Sequence, residues 1–320
     1  MRARIMLVLL AFALAVAGCG STVAPESVSV APVDPAPAGA TEVTTPPTAG
    51  NADCDREASL RPGPLPPPGA MPAGSTMANI AERGRLIVGV DQNTDLFGFR
   101  DPATGQLEGF DIDIAREMAR AIFGDPNRIQ LRVVDASQRE SVLENGDVDL
   151  VVRTYSITCS RKERVQFSTV YFNANQKVLT VKGSGIDSFG ALSDKRVCAV
   201  SGTTSLARLF ELDPPPKVFS VATWTDCLLM LQQGQVDAIS TDDVVLKGLA
   251  HQDPNVDVVG ESVAVEPYGV GVNKDHEDLV RFVNGVLEKI REDGTWQRLY
   301  EARLRELGPS PGPPQPRYKD

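Results

Sequence analysis

Through the middle of the chain, apolar residues recur at helical spacing, stop at a glycine, and resume as short unbroken runs. The pattern is clearest where it repeats. Val142-Leu143-Glu144-Asn145-Gly146-Asp147-Val148-Asp149-Leu150 is echoed 88 residues later by Met230-Leu231-Gln232-Gln233-Gly234-Gln235-Val236-Asp237-Ala238. Each copy predicts a helix that ends on a left-handed glycine cap, then a polar residue, then a buried strand opened by Val-Asp. Unbroken apolar runs of this length suit strands of a parallel sheet, which is covered on both faces.

The same rhythm predicts strands over 86–90, 131–134, 150–152, 178–181, 197–200, 237–240 and 256–259. A helix is expected over 111–122, with Asp111 as its N-cap and Ile112, Ala115, Met118, Ala119 and Ile122 on one face. The chain is expected to cross to a second lobe near 170–175, to return near 264–268, and to rejoin the first sheet at 269–272. Two helices finish it, with Gly294 ending one and Thr295 capping the next. The fold class is therefore α/β with two lobes: 79–172 and 266–307 form lobe 1, 173–265 form lobe 2, and two hinge crossings leave a cleft between them. Residues 19–78 read as a Pro/Ala/Thr-rich tether and 308–320 as a disordered tail.

The N-terminus carries an export signal over 1–18. Arg2 and Arg4 precede an apolar run over 5–16, shorter than the roughly 20 residues a membrane span needs. Val16-Ala17-Gly18-Cys19 resembles the lipobox of bacterial lipoproteins, which implies acylation of Cys19 and a membrane attachment through lipid. A plain secretory signal with an incidental cysteine is the alternative. Setting Cys19 aside leaves Cys54, Cys159, Cys198 and Cys227, an even number in an oxidising compartment, with three pairings open. Cys198, in a predicted strand, and Cys227, in the next long helix, form the local pair; Cys54 and Cys159 then form the other. No C-x-x-C occurs and the two histidines, His251 and His276, stand apart, so neither a metal nor another cofactor is expected. A net charge of −10, with no basic cluster interleaved with aromatics, argues against nucleic acid as a partner.

Soon after each copy of the repeat comes one opposite charge, Arg161 after the first and Asp242 after the second. In open α/β sheets, ligands sit in the crevice beyond the carboxyl ends of the strands. A cation and an anion offered across one crevice suit a zwitterion such as a free amino acid. The repeat alone fits equally well a protein in which both charges are ordinary surface residues, since βα units recur in any α/β fold.

More of the chain bears on this choice. Gly84-Arg85-Leu86-Ile87-Val88-Gly89-Val90-Asp91, Leu107-Glu108-Gly109-Phe110-Asp111-Ile112-Asp113, Ser156-Ile157-Thr158 through Arg161 to Phe167-Ser168, and Ser201-Gly202-Thr203-Thr204 follow one another in order. Gly234-Gln235-Val236-Asp237-Ala238, Tyr268-Gly269-Val270-Gly271-Val272 and Asp293-Gly294-Thr295-Trp296 complete the series. In this order they resemble the polar-amino-acid-binding proteins of ABC importers, the glutamine/glutamate/aspartate type of solute-binding protein family 3, with the periplasmic-binding-protein type II fold. The resemblance implies that Arg161 grips the ligand α-carboxylate as a fork and that Ser156 bonds the carboxylate or the ammonium. It further implies that the Thr154 carbonyl accepts from the ammonium, that Asp242 is its counter-charge, and that the N–H groups of Thr203 and Thr204 open an anion site. Thr94 and Ala136 stand where relatives often place aromatics, so platforms for a long or cationic side chain are missing. Arg153 has two open readings: facing the ligand, it favours aspartate or glutamate; facing inward against an acid, it is structural. Tyr155, Thr241 and Asp91 are further candidates for hydrogen bonds to the ligand's side chain, and Asp91 beside a carboxylate would favour asparagine or glutamine. The implied function is a monomeric, lipid-anchored receptor outside the membrane that closes on a free polar amino acid and hands it to an ABC-transporter permease. A sensor presenting ligand state to a membrane signalling protein would use the same site. Catalysis of the dehydratase kind found on this fold would need a positioned general acid, which nothing in the chain picks out; a non-enzyme is expected.

Overall fold

The structure, a computed structural model, describes residues 35–47 and 53–320; the signal segment 1–18 and Cys19 lie outside the described residues. Two short strands, β1 (Thr41–Val43) and β2 (Ala58–Ser59), come from the segment read as a tether. Helix α1 (Thr76–Arg83) follows, its first turn capped by the Ser75 side chain and its end closed by Gly84 at φ +87°. It leads into β3 (Leu86–Val90) and a small antiparallel sheet of β4 (Asn93–Thr94), β5 (Gly98–Arg100) and β6 (Leu107–Glu108). Helix α2 (Phe110–Phe123) buries the expected face of Ile112, Ala115, Met118, Ala119 and Ile122. Then come β7 (Ile129–Val133), α3 (Arg139–Glu144), β8 (Leu150–Val151), α4 (Cys159–Arg164) and β9 (Val165–Phe167).

The long strand β10 (Phe172–Val181) carries the chain into lobe 2. There β11 (Arg196–Val200), α5 (Thr204–Leu209), β12 (Lys217–Val221), α6 (Trp224–Gln232), β13 (Ala238–Asp242), α7 (Asp243–Gln252) and β14 (Val256–Val259) alternate. Strand β15 (Val265–Tyr268) returns antiparallel to the first half of β10, pairing Phe172 with Tyr268 and Asn175 with Val265. These paired strands are the two hinge crossings. Strand β16 (Gly271–Asn273) then inserts between β8 and β9, completing the lobe-1 order β7-β3-β8-β16-β9. Helices α8 (Glu277–Glu292) and α9 (Thr295–Arg303) and a final strand β17 (Arg317–Tyr318) end the chain.

The sequence repeat is one hydrogen-bond device built twice. Gly146 and Gly234 sit at φ +68° and +67°, and each donates its N–H to a carbonyl three residues back, Leu143 or Leu231, at 3.1 Å. The Asp of each Val-Asp then pairs with the opening of a neighbouring strand. Asp149 donates its N–H to the Ile87 carbonyl and accepts the Ile87 N–H on its carboxylate, both at 2.8 Å. Asp237 does the same with Arg196, again at 2.8 Å for both bonds. Each copy thereby registers a parallel strand, β8 on β3 and β13 on β11, and aims the residues beyond it at the cleft.

Several expectations change. From Cys54 onward the presumed tether is part of lobe 1, because the Cys54–Cys159 disulfide holds it and Lys162 Nζ donates to the carbonyls of Asp55, Arg56 and Ala58. Buried Asn284 adds hydrogen bonds to Ser59 and Leu60. Earlier in the same segment, β1 adds an antiparallel edge to β12 of lobe 2. The tail after Leu307, expected to be disordered, returns to pair β17 with β2, and Asp320 binds Arg61 and Arg281. Pro-rich composition hides these pairings. Asp111 does not cap α2, which begins one residue earlier behind Gly109; its carboxylate is buried and turned to lobe 1 instead. Gly294 at φ +75° closes α8 and also caps α9, so Thr295 is the first helical residue and not the cap. The second disulfide joins Cys198 to Cys227, from β11 to α6. No described helix is long and apolar enough to cross a membrane.

Candidate functional site

A narrow cavity of about 10 Å³, room for roughly one water molecule, lies between the lobes. Lobe 1 lines it with Arg139, Arg153, Thr154, Ser156 and Arg161; lobe 2 lines it with residues of α5 and with Trp224, Thr241, Asp242 and Val245. Of the ten ligand-binding candidates from the sequence, eight meet here: Arg161, Asp242, Ser156, Thr154, Thr203, Thr204, Arg153 and Thr241. Asp91 and Tyr155 do not line it.

The lobe-1 wall is a surface of donors. Arg161 sits in α4, whose first turn is capped by the Thr158 hydroxyl. Its Nη1 donates to the Ser156 carbonyl at 2.6 Å, its Nη2 to the Gly202 carbonyl of lobe 2 at 2.9 Å, and its Nε lies 3.2 Å from Glu140. Burial pushes the Glu140 carboxyl up, but Arg161 and Arg139 outweigh it and hold it below the usual range. Thr154 is held at φ +37°, an uncommon conformation for a β-branched residue. Its N–H is fixed by Asp111 Oδ2 at 2.7 Å, while Asp111 Oδ1 accepts from Tyr171 at 2.7 Å. Burial raises the Asp111 carboxyl to about 6 against these two bonds.

Arg153 resolves toward its structural reading. Its guanidinium lies 3.2 Å from Asp91, both side chains buried, and its Nε donates to the Val134 carbonyl at 2.7 Å. Asp91 also accepts from the N–H groups of Gln92 and Asn93 and from Thr94 Oγ1. The two candidate charges therefore neutralise each other. Tyr155 packs in the lobe-1 core against Phe167, with the guanidinium groups of Arg139 and Arg161 4.3 and 5.0 Å from its ring centre. It therefore packs behind two cations of the cavity wall and does not line the cavity itself.

Arg139 is a site residue that the sequence does not single out. It is buried, its Nε donates to the Ala136 carbonyl at 2.8 Å, and its Nη2 donates across the cleft to Gly202 at 3.0 Å. Unlike Arg153 and Arg161, it has no carboxylate within ion-pair distance among the described residues. Burial and the neighbouring Arg161 push it down to about 9, which leaves it protonated at neutral pH. One sequence signal exists: Arg139 opens a helix, where the macrodipole disfavours a cation. Trp224, the aromatic wall from lobe 2, also escapes notice because it follows a plain Thr223 cap.

The lobe-2 wall ends in one anion. Asp242 closes β13 and precedes α7, yet its side chain caps no N–H. Tyr268 of the hinge strand donates to its Oδ2, and buried Oδ1 has no partner among the described residues. Burial, and then the nearby Glu266 carboxylate, push its carboxyl up to about 8. The adjacent Asp243 is committed elsewhere, accepting from the Asn175 N–H at 3.1 Å and the Val244 N–H at 2.9 Å. The Thr203 hydroxyl caps α5 and the Thr204 hydroxyl donates to Glu266 at 2.8 Å, so both hydroxyls are already committed. The Thr241 hydroxyl meets that of Ser205 at 3.1 Å. Gly202 lets the lobes approach closely. It lies at φ +74°, and a Cβ there would come 2.6 Å from Ser137 Cα of lobe 1. Among the described residues no cluster of three or more His, Cys, Asp or Glu side chains is placed to hold a metal ion.

Comparison with known proteins agrees with this geometry. The chain is 38% identical over 232 residues to the ABC transporter glutamine-binding protein GlnH of Bacillus subtilis, covering 72% of this chain and 85% of that one. It is 41% identical over 208 residues to a glutamine-binding protein of Geobacillus stearothermophilus (65% and 79%), and 32% identical over 237 residues to the glutamate-binding protein GluB of Corynebacterium glutamicum (70% and 80%). Among solved structures, the solute receptor for L-cysteine of Neisseria gonorrhoeae superposes with a TM-score of 0.70 at 28% identity, over 74% of this chain and 98% of that one. An ancestral arginine-binding protein bound to glutamine superposes with a TM-score of 0.65 at 33% identity (69% and 98%). A two-lobed α/β body with a polar cavity between the lobes, and a family model matched over residues 86–305, place this chain among the bacterial extracellular solute-binding proteins, family 3.

Proposed function

We propose that the protein is the extracytoplasmic receptor of an ABC importer for polar amino acids, with L-aspartate and L-glutamate bound ahead of L-asparagine and L-glutamine. The observation that carries the preference is Arg139, a buried guanidinium beside Arg161 with no carboxylate of its own. Arg161 takes the α-carboxylate. Asp242 Oδ1, which lacks a partner, takes the α-ammonium together with the Thr154 carbonyl. The lobe-1 wall otherwise offers donors: the Arg139 guanidinium and the Ser156 hydroxyl. A side-chain carboxylate, an acceptor at both oxygens, satisfies such a wall better than an amide, whose NH₂ would face donors. The named relatives that bind glutamine or glutamate support the class of ligand.

Binding proceeds by lobe closure, because the two main-chain charges of the ligand bridge groups on opposite lobes. The fold acts as a monomer, and acylation of Cys19 holds it at the membrane; incorporation of a clickable palmitate analogue, lost in Cys19→Ala, tests the anchor. A thermal-shift panel of the twenty amino acids tests the ligand class. Aspartate or glutamate should give the largest shift, and a best hit on lysine or leucine refutes the reading.

A further inference from the structure

His251 has no role in the sequence reading, and the structure gives it one. It stands near the end of α7 in lobe 2, and its Nδ1 lies 2.9 Å from Asp95 Oδ2 and 3.9 Å from Glu306 Oε2. Both carboxylates belong to lobe 1: Asp95 in the turn between β4 and β5, Glu306 in the 3₁₀ turn Arg305–Leu307 after α9. None of the three lines the cavity. A second observation marks the same contact. Gly248, one turn before His251, packs so close that a Cβ there would meet the Asp95 carbonyl at 3.0 Å and its Cβ at 3.1 Å.

We infer that His251, Asp95 and Glu306 form a proton-operated clasp between the lobes that tightens ligand binding from outside the cavity as pH falls. The contact spans the lobes and is lost when they part, so whatever it contributes is added to the closed state alone and appears as ligand affinity. The inference rests on closure around a ligand, not on which amino acid the cavity prefers.

The charges around the ring set the sign. Asp95 and Glu306 face it from lobe 1; on α7, Lys247 precedes it by one turn, and Arg305 neighbours Glu306 in sequence. The hydrogen bond to Asp95, then the Glu306 charge, raise the imidazole above its ordinary value. A base raised in the closed state stabilises that state fully below its open-state value of about 6.5. The contribution is lost as pH climbs through the higher closed-state value. The His251 side chain is 57% exposed, so solvent screens the pair. Exposed pairs of this kind are worth about a two- to fivefold change in an equilibrium.

The test is the dissociation constant of L-glutamate for the full chain, measured by calorimetry at pH 5.5, 6.5, 7.5 and 8.5. Wild type, His251→Ala and Asp95→Asn are compared in low salt. The wild type should lose about two- to fivefold more affinity than either variant between pH 5.5 and 8.5, and 0.5 M NaCl should flatten the difference. A His251→Ala profile parallel to wild type overturns the clasp. Should L-glutamate fail to bind any of the three, the ligand proposal falls and the clasp is read from small-angle scattering of the ligand-free chains. Wild type should then contract between pH 8.5 and 5.5 more than His251→Ala does, and equal contraction overturns it.

Discussion

Replacing Asp242 by Asn changes one charge and almost no volume, and it should move ligand affinity and ligand-free closure in opposite directions. With the lobes closed, the Asp242 carboxylate is buried, bonded on one oxygen by Tyr268, and raised from 3.8 to about 8. A group raised in the closed state favours closure at low pH and opposes it as pH rises through the closed-state value. At pH 7 the empty cleft can escape the ionised form by binding a proton. That limits the cost of closing empty to 1.36 kcal/mol for each unit between 3.8 and 7, or about 4 kcal/mol. The uncharged amide of the variant would carry no such cost. A bound ammonium, by contrast, loses its counter-charge, and removing one member of a buried pair costs about 3–5 kcal/mol. That loss sets the expected weakening at roughly a hundredfold or more in dissociation constant. Calorimetry with L-glutamate and L-aspartate at pH 7 measures the first effect; small-angle scattering of the ligand-free chains at pH 8.5 measures the second, with the variant the more compact. A variant that binds within threefold of wild type would show that Asp242 does not meet the ammonium. Thr241→Ala, which removes one hydroxyl contact, should cost far less.

Other changes follow from the same geometry. Arg139→Gln should weaken aspartate or glutamate by roughly 10- to 100-fold, a charge-assisted bond of about 1.5–3 kcal/mol, while asparagine and glutamine lose less; competition calorimetry reads the ratio. Gly202→Val places side-chain atoms where a bare Cβ would already lie 2.6 Å from Ser137 Cα and holds a β-branched residue at φ +74°, so binding should become undetectable and the ligand-free chain should also lose the roughly 1–3 kcal/mol such a conformation costs. Gly248→Ala should raise helix stability by about 0.5–1 kcal/mol yet weaken ligand binding, because the added methyl meets the Asp95 backbone; a variant that melts higher and binds as well as wild type would remove the steric half of the cross-lobe contact. Replacing Cys54 and Cys159 together by Ser opens a loop closed over 105 residues and should cost about 2–5 kcal/mol, with residues near 53–59 becoming the first site of limited proteolysis.

The periodic parts of the fold are legible because local rules and tertiary demand agree there. Strands 86–90 and 256–259 coincide with β3 and β14, and the helix read over 111–122 differs from α2 by one residue at each end. Strand 178–181 is the last part of the ten-residue β10, since its hinge half carries Asn173, Asn175 and Gln176, which interrupt the apolar run. Strand β12 escapes the pattern: Lys217 and Ser220 break the apolar run that a buried strand would show. A residue's place at the cleft is legible where a motif fixes it, as with Arg161 and Asp242, which both line the cavity. Its role is not legible where a partner decides it. Nothing local distinguishes Arg153, which Asp91 neutralises, from Arg139, which nothing neutralises; that difference is made by β3 in one case and by a gap between lobes in the other. His251 shows the same limit, since its two carboxylates come from positions 95 and 306.

The pattern of matched and unmatched charges explains why the lobes would wait for a ligand. Arg153 has Asp91, Arg161 has Glu140, and Asp243 has the hinge amide of Asn175. What remains is Arg139 on one side and Asp242 on the other, both buried and neither with an opposite charge within ion-pair distance among the described residues. Closing without a ligand must therefore bury the Arg139 cation and force a proton onto Asp242, while the cross-lobe bonds to Gly202 and the clasp at His251 return only part of that cost. A ligand carrying a carboxylate and an ammonium removes both penalties in one step. The difference between closed-with-ligand and closed-empty is thereby larger than any single contact, and that difference, not affinity for either lobe alone, is what shifts a population. Neutral replacements at both Arg139 and Asp242 should on this argument leave a protein that closes readily and responds to ligand hardly at all.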